Sequence, residues 1–177
     1  MSNKRAGSAP KEAPEQTSVL ARRVHVEPWH DPQWQQLWLA IERRPWRSLV
    51  LIPAGEGAPL DFTVSIAVNL SRTAMVHIGS AIQVADGTIV PLNQLNPFLN
   101  EVRRCTSSGE RLIVALPPTD ASPVTASIAQ SSDAAVLCIL LERMASADAN
   151  KTVKLIGPKR FLGSVLVHPD QLENHRG

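Results

Sequence analysis

Between residues 29 and 167 the spacing of apolar residues changes several times, and each change marks an element. Asp31-Pro32 opens the first, with Asp as N-cap and Pro at the first helical position. Trp34, Leu37, Trp38 and Ile41 then fall at i, i+3, i+4 and i+7, one face of a helix. Arg43-Arg44 complement the helix dipole at its end and Pro45 stops it. Ser48–Ile52 is a short continuous apolar run, the pattern of a parallel strand buried on both faces. Asp61–Ser71 reads as a helix with Phe62, Ile66 and Leu70 on one side, Ala74–Ile78 as a second strand, and Ala81–Val90 as a hairpin turning at Asp86-Gly87. Asn96-Pro97 opens another helix with Phe98, Leu99 and Val102 inward. Leu112–Leu116 is a strand ended by Pro117-Pro118, and Ser122-Pro123 starts a helix through Val124 and Ile128. Ala134–Leu141, the longest apolar run, reads as a central strand. Asp148–Ile156 is a helix stopped by Gly157-Pro158, and Phe161–Val167 is the last strand.

Strands and helices that alternate in this way predict an α/β fold, a mostly parallel twisted sheet with helices on both faces. Right-handed crossovers then leave a crevice at the carboxyl ends of the strands, and the loops Ala54–Ala58 and Pro117–Asp120 both face it. Residues 1–23, rich in Ala, Pro, Ser, Glu, Lys and Arg, read as disordered. The expected organisation is a tail over 1–28 and a single domain over 29–177.

Composition narrows the function. In 177 residues, 44% are hydrophobic, enough for a sizeable core, and the net charge of +2 predicts no nucleic-acid surface. Cys105 and Cys138 sit in or beside apolar runs, the usage of buried free thiols in a reducing compartment. The N-terminus lacks the apolar stretch of a secretory signal, and no segment is long and apolar enough to span a bilayer. The expected location is the cytoplasm, with the inner membrane reached only through a partner. There is no tyrosine, so no tyrosine on this chain acts as nucleophile, acid or phosphate acceptor. No Cys/His spacing matches a metal site, and no metal is expected.

Ser48–Gly57 has the form of a strand entering a phosphate-binding loop, with Gly55, Glu56, Gly57 and Ala58 at the turn. The loop lysine is missing: Gly57 is followed by Ala58-Pro59-Leu60-Asp61. Four stretches resemble the cytoplasmic domain of bacterial exopolysaccharide tyrosine kinases, within the larger group of MinD/ParA-like P-loop ATPases. Trp34–Arg44 is similar to the helix before the first strand. Pro53–Gly57 with Ile66-Ala-Val-Asn-Leu70 is similar to the family's loop and helix, where Gly-Glu-Gly-Lys-Thr leads to Ala-x-Asn-Leu. Leu116-Pro-Pro118, Ser122-Pro123 and Ser132-Asp133 before Ala134–Leu141 follow the family's order, as do Lys151–Gly157 and Phe161–Val167. The resemblance implies a P-loop NTPase-like three-layer sandwich and a role in polysaccharide assembly or export.

The departures bear on activity. Ala58-Pro59 stand where the family has the lysine that contacts phosphates and the hydroxyl that binds magnesium, and proline also removes a backbone N–H. Met75–Ser80, taken as the second strand, lacks the family's aspartates, and Ile113–Pro118 lacks the Asp-Thr before its two prolines. These losses predict no catalytic residues, no bound cofactor and a degenerate loop. They point to a non-catalytic, kinase-like subunit whose partner is a membrane-anchored polysaccharide co-polymerase or chain-length determinant, with homo-oligomerisation open. Two alternatives stand beside it. One is an atypical phosphate- or nucleotide-binding enzyme using the amides of Gly55–Gly57 with Arg72 or a second subunit; the other is a MinD/ParA-like adaptor of a partition or secretion system.

Trp29, Trp34, Trp38 and Trp46 are the chain's four tryptophans. They either pack the leading helix onto the sheet or leave anchors for a partner, for which Trp34, Trp38 and Trp46 are the candidates. Asp61 reads as a helix cap, with Asp61 and Thr63 as a displaced carboxylate and hydroxyl the alternative. His77 reads as a core or edge histidine in its strand, and Asp120 and Asp133 as caps.

Overall fold

The computed structural model describes residues 27–80 and 82–169; the tail expected over 1–23 lies outside them, and Pro28 is already buried in a short 3-10 turn, Pro28–His30. Asp31 caps α1 (Pro32–Ile41) by accepting from Gln33 N–H at 2.8 Å, as the Asp-Pro pair predicts. Then follow β1 (Ser48–Pro53), α2 (Phe62–Ile78), β2 (Gln83–Asp86), α3 (Leu95–Ser107), β3 (Leu112–Ala115), α4 (Val124–Ser131), β4 (Ala134–Leu140), α5 (Ser146–Ile156) and β5 (Phe161–Val167).

All five strands run parallel in the order β2-β3-β1-β4-β5. Leu49, Val50, Leu51 and Ile52 are fully buried because β1 is central and covered on both faces. Burial of each such side chain favours the fold by about 1.5–3 kcal/mol. Alternation along the strand sends Leu49 and Leu51 to one face, where they meet Trp38, Ile41, Phe62, Ile66 and Leu70 of α1 and α2. Val50 and Ile52 go to the other, against Leu99, Val102, Ile128 and Ile156 of α3, α4 and α5. The crossover rule accounts for this split: the chain steps one way from β1 to β2 and the other way through β3, β4 and β5.

Two expectations fail. Ala74–Ile78 is the end of α2, with Ala74 buried and Met75, Val76 and Ile78 exposed; an apolar stretch on a helix end was taken for a strand. Ala81–Val90 is no hairpin, since β2 pairs in parallel with β3. Asp86 Oδ1 accepts from the N–H and hydroxyl of Thr88, and Gly87 N–H donates to Ala115 O. A Cβ at Gly87 would lie 2.7 Å from Leu116 Cδ2, so glycine answers a close approach there. As expected of the longest apolar run, β4 is an interior strand, paired with β1 on one side and β5 on the other.

Candidate functional site

β1 ends at Pro53 and α2 begins at Phe62, so the loop Ala54–Asp61 leaves the carboxyl end of the central strand. Parallel pairing brings the end of β3, and with it Pro117–Asp120, to the same side. Ala54 N–H donates to Cys138 O at 2.8 Å, and Ala54 O accepts from Thr152 Oγ1 of α5 at 3.1 Å. A Cβ built on Gly55 would stand 2.7 Å from Asp148 Cβ and 3.1 Å from Asp148 Oδ2. Gly57, at φ +112°, brings the loop under the Arg143 carbonyl, 3.0 Å from where its Cβ would be. The start of α5 is therefore seated on the glycine turn.

Buried threonines fasten the neighbouring exits. Thr63 Oγ1 donates to Leu116 O at 2.9 Å, tying α2 to the end of β3, and Thr125 Oγ1 donates to Pro117 O at 3.2 Å. Thr119 and Thr152 bring their hydroxyls to 3.5 Å. Lys151 pairs with Asp120 at 2.7 Å. The hydrogen bond and charge of Asp120 raise the Lys151 ammonium above its ordinary value, with Asp148 and Glu56 adding to it.

Charge at this pole is mostly negative. Asp86 ends β2, Glu56, Asp61, Asp120 and Glu142 lie in the loops after strands, and Asp148 is in the first turn of α5, against Arg143 and Lys151. At Gly55–Gly57 a phosphate would meet the Asp148 carboxylate, not an unpaired lysine. Helix α2 starts five residues beyond Gly57, so its first amides do not continue the glycine turn. A magnesium nucleotide does not fit these residues as arranged. Among the described residues no group of three or more His, Cys, Asp or Glu is placed to hold a metal ion.

The predicted loop Gly55, Glu56, Gly57, Ala58 is thus at the crevice, and Thr63 and Asp120 join it. Asp61 occupies the N-cap position of α2, but at ψ 2° its side chain makes no cap hydrogen bond. Asp120 pairs with Lys151 instead of capping α4, and Asp133 binds the N–H groups of Arg47 and Ser48 at the opposite pole. Arg72 lies ten residues into α2, about 15 Å along the axis from its first turn, and is not brought to the loop. The second strand does end on a carboxylate, Asp86; the expectation that it lacks one came from placing the strand at Met75–Ser80. His77 is an exposed residue on the last turn of α2, its ring parallel to Trp38 within 8°. Asp148 and Thr152 have no site signal in the sequence, because only the β4–α5 crossover carries them to the loop.

The tryptophans pack inward. Trp38 and Trp46 are buried, with Trp46 Nε1 donating to Ile41 O at 3.1 Å, and Trp34 is half-buried against the same core. Burial takes Trp38 and Trp46 off the surface that a docking anchor needs. Cys105 and Cys138 are free and buried, and burial pushes the Cys138 thiol well up. No helix among the described residues is long and apolar enough to cross a membrane.

No protein-family model matches this chain, and no curated protein matches it. Solved structures do. The chimerical protein CapA2B2 superposes with a TM-score of 0.56 at 14% identity, covering 75% of this chain and 80% of that one. The BceF tyrosine kinase domain superposes with a TM-score of 0.55 at 13% identity, covering 75% of this chain and 73% of that one. At such identities the likeness establishes the fold alone: this chain has the α/β fold of these two structures, one of them a tyrosine kinase domain.

Proposed function

We propose that this chain is a non-catalytic, kinase-like accessory subunit of an exopolysaccharide assembly or export system, acting by contact with a membrane-anchored chain-length determinant. The ordered sequence resemblance supports the pathway, and the fold shared with a tyrosine kinase domain is consistent with it. The observation that carries the non-catalytic part is the seating of Asp148 on Gly55. In the resembled kinases the glycine turn holds phosphate; here the same turn is covered by α5 and faced by a carboxylate.

Magnitudes support the reading. A lysine–phosphate hydrogen bond is charge-assisted and contributes about 1.5–3 kcal/mol. Loss of the lysine, the magnesium hydroxyl and the aspartate that precedes the two prolines in the resembled kinases together amounts to several powers of ten in affinity, at about 1.4 kcal/mol per power. Isothermal titration of the full chain with Mg-ATP is expected to give no binding heat at millimolar nucleotide. Saturation in the low micromolar range would overturn the proposal.

A further inference from the structure

The opposite pole of the sheet is charged the other way. Arg43, Arg44, Arg47, Arg111, Lys159 and Arg160 precede β1, β3 and β5, and they are six of the twelve Lys and Arg among the described residues. A cavity of about 290 Å³ opens among them, between the end of α1 and the starts of β1 and β3, lined by Glu42, Arg44, Trp46, Arg47, Gly109 and Arg111.

Its cations are positioned rather than neutralised. Arg44 Nη1 donates to Lys159 O at 3.2 Å, and Arg47 Nη1 donates to Gly109 O. A carbonyl partner fixes each guanidinium and leaves its charge uncompensated. Arg111 lies over the Trp46 ring, 3.7 Å from its centroid, and holds both oxygens of Glu42. Its Nε is buried without a hydrogen-bond partner, alone in this among the described side chains. Two carboxylates stand outside the lining and keep their charge: Asp133 accepts from Arg47 N–H, Ser48 N–H and Ser48 Oγ, and Glu110 from Gln83. The lining thus sets three guanidiniums against one carboxylate.

We propose that this cavity, framed by Arg44, Arg47 and the Arg111–Trp46 stack at the amino ends of the strands, is an oxyanion site for a dianionic phosphoryl group. Arg44 and Arg47 present two guanidiniums held by carbonyls and not by carboxylates, and the planar N–H forks of arginine suit phosphate oxygens. A free phosphate compound and the headgroup of an anionic lipid present the same chemistry. The carboxylate-rich crevice at the other pole repels the same group, which directs it to this end.

Inorganic pyrophosphate titrated into the isotope-labelled full chain tests the site. Saturable shifts are expected at Trp46 Nε1–H and at the Arg47 side chain. The double variant Arg44→Gln/Arg47→Gln is expected to bind about tenfold more weakly or worse. Removal of two charges from the crevice pole, Arg143→Gln/Lys151→Gln, is expected to leave binding unchanged. Should the double variant not fold, each single glutamine variant must still weaken binding severalfold. Phosphatidylcholine vesicles carrying phosphatidic acid form the second arm. Co-sedimentation lost in the double variant assigns a lipid headgroup, and pyrophosphate binding without co-sedimentation assigns a free phosphate compound. No saturable response to either probe, or wild-type affinity in the arginine variants, overturns the proposal.

Discussion

Replacing Gly55 with alanine measures how firmly α5 sits on the glycine turn. Gly55 is not among the positive-φ glycines, so alanine meets no backbone penalty and the cost is steric. The new Cβ would stand 2.7 Å from Asp148 Cβ and 3.2 Å from its Cγ. Ordinary contact starts near 3.4 Å, so loop or helix must yield about 0.7 Å, 3.4 less 2.7. Yielding is resisted, because Thr152 holds Ala54 O and Lys151 holds Asp120. Overpacking of this kind costs about 1–3 kcal/mol, and the reduced freedom of the unfolded chain returns about 0.4–1 kcal/mol. The expected net loss is about 1–2 kcal/mol, read in urea as a lower midpoint at unchanged slope. In a thermal scan it corresponds to a fall of roughly 2–8 °C at this chain length. Gly163→Ala is the control: nothing lies within 4 Å and its φ is not positive, so it should stay within about 0.5 kcal/mol of the parent. Asp148→Gly removes the Cβ that is struck and costs about 1 kcal/mol as a helix glycine. The double variant should then be no less stable than Asp148→Gly alone. A Gly55→Ala protein as stable as the parent, or full additivity with Asp148→Gly, would refute the seating of α5 on the glycine turn.

Two further outcomes follow, one from a hydrogen-bonded carboxylate and one from the buried thiols. Burial alone would raise the Asp133 carboxyl, but hydrogen bonds from Ser48 N–H, Arg47 N–H and Ser48 Oγ, with the charge of Arg160, hold it below the ordinary range. Its stabilisation is complete above about pH 4 and disappears as pH falls through the lower folded-state value. Asp133→Ala, which leaves the Ser48 N–H without its acceptor, should cost about 1–3 kcal/mol near neutrality, and the urea midpoint of the variant should fall less on acidification than that of the parent. Both thiols are buried and burial raises Cys138, so Ellman's reagent should label neither cysteine in the native protein and both after urea unfolding; rapid native labelling of Cys138 would contradict the packing of β4.

The sheet was legible because its strands are short and continuously apolar: β1, β3 and β4 are buried on both faces and carry no polar interruption. The helix caps were legible where the residue has one use, as at Asp31. The failures lie where local pattern and position part company. Met75, Val76 and Ile78 are apolar yet exposed on a helix end, a burial-blind pattern that imitates a strand. Gly87 looks like a turn residue and is in fact a point of close packing between β2 and β3. At the candidate site the glycine turn itself was readable from Pro53–Gly57, while its cover was not. Asp148 is 93 positions from Gly55, and their contact depends on the crossover that places α5 behind β1 and β4. The cavity at Trp46 is hidden for the same reason, since Arg111 and Arg47 meet only because β1 and β3 are neighbours.

A missing lysine by itself would leave an open cradle of amides, weak for phosphate but available. The arrangement here differs in kind. Thr152 takes the carbonyl of Ala54, Thr63 takes that of Leu116, and Asp148 fills the space beside Gly55. Each neutral hydrogen bond contributes about 0.5–1.5 kcal/mol net, and each must be broken or matched before a ligand reaches the turn. A lysine placed at position 58 would therefore supply charge without supplying room, and would be drawn to Glu56 and Asp148 before any phosphate. What the chain retains from the shared fold is the rigid sheet with its two poles. The pole where α5 sits against Gly55 carries the carboxylates, while the pole with the cavity at Trp46 carries the arginines.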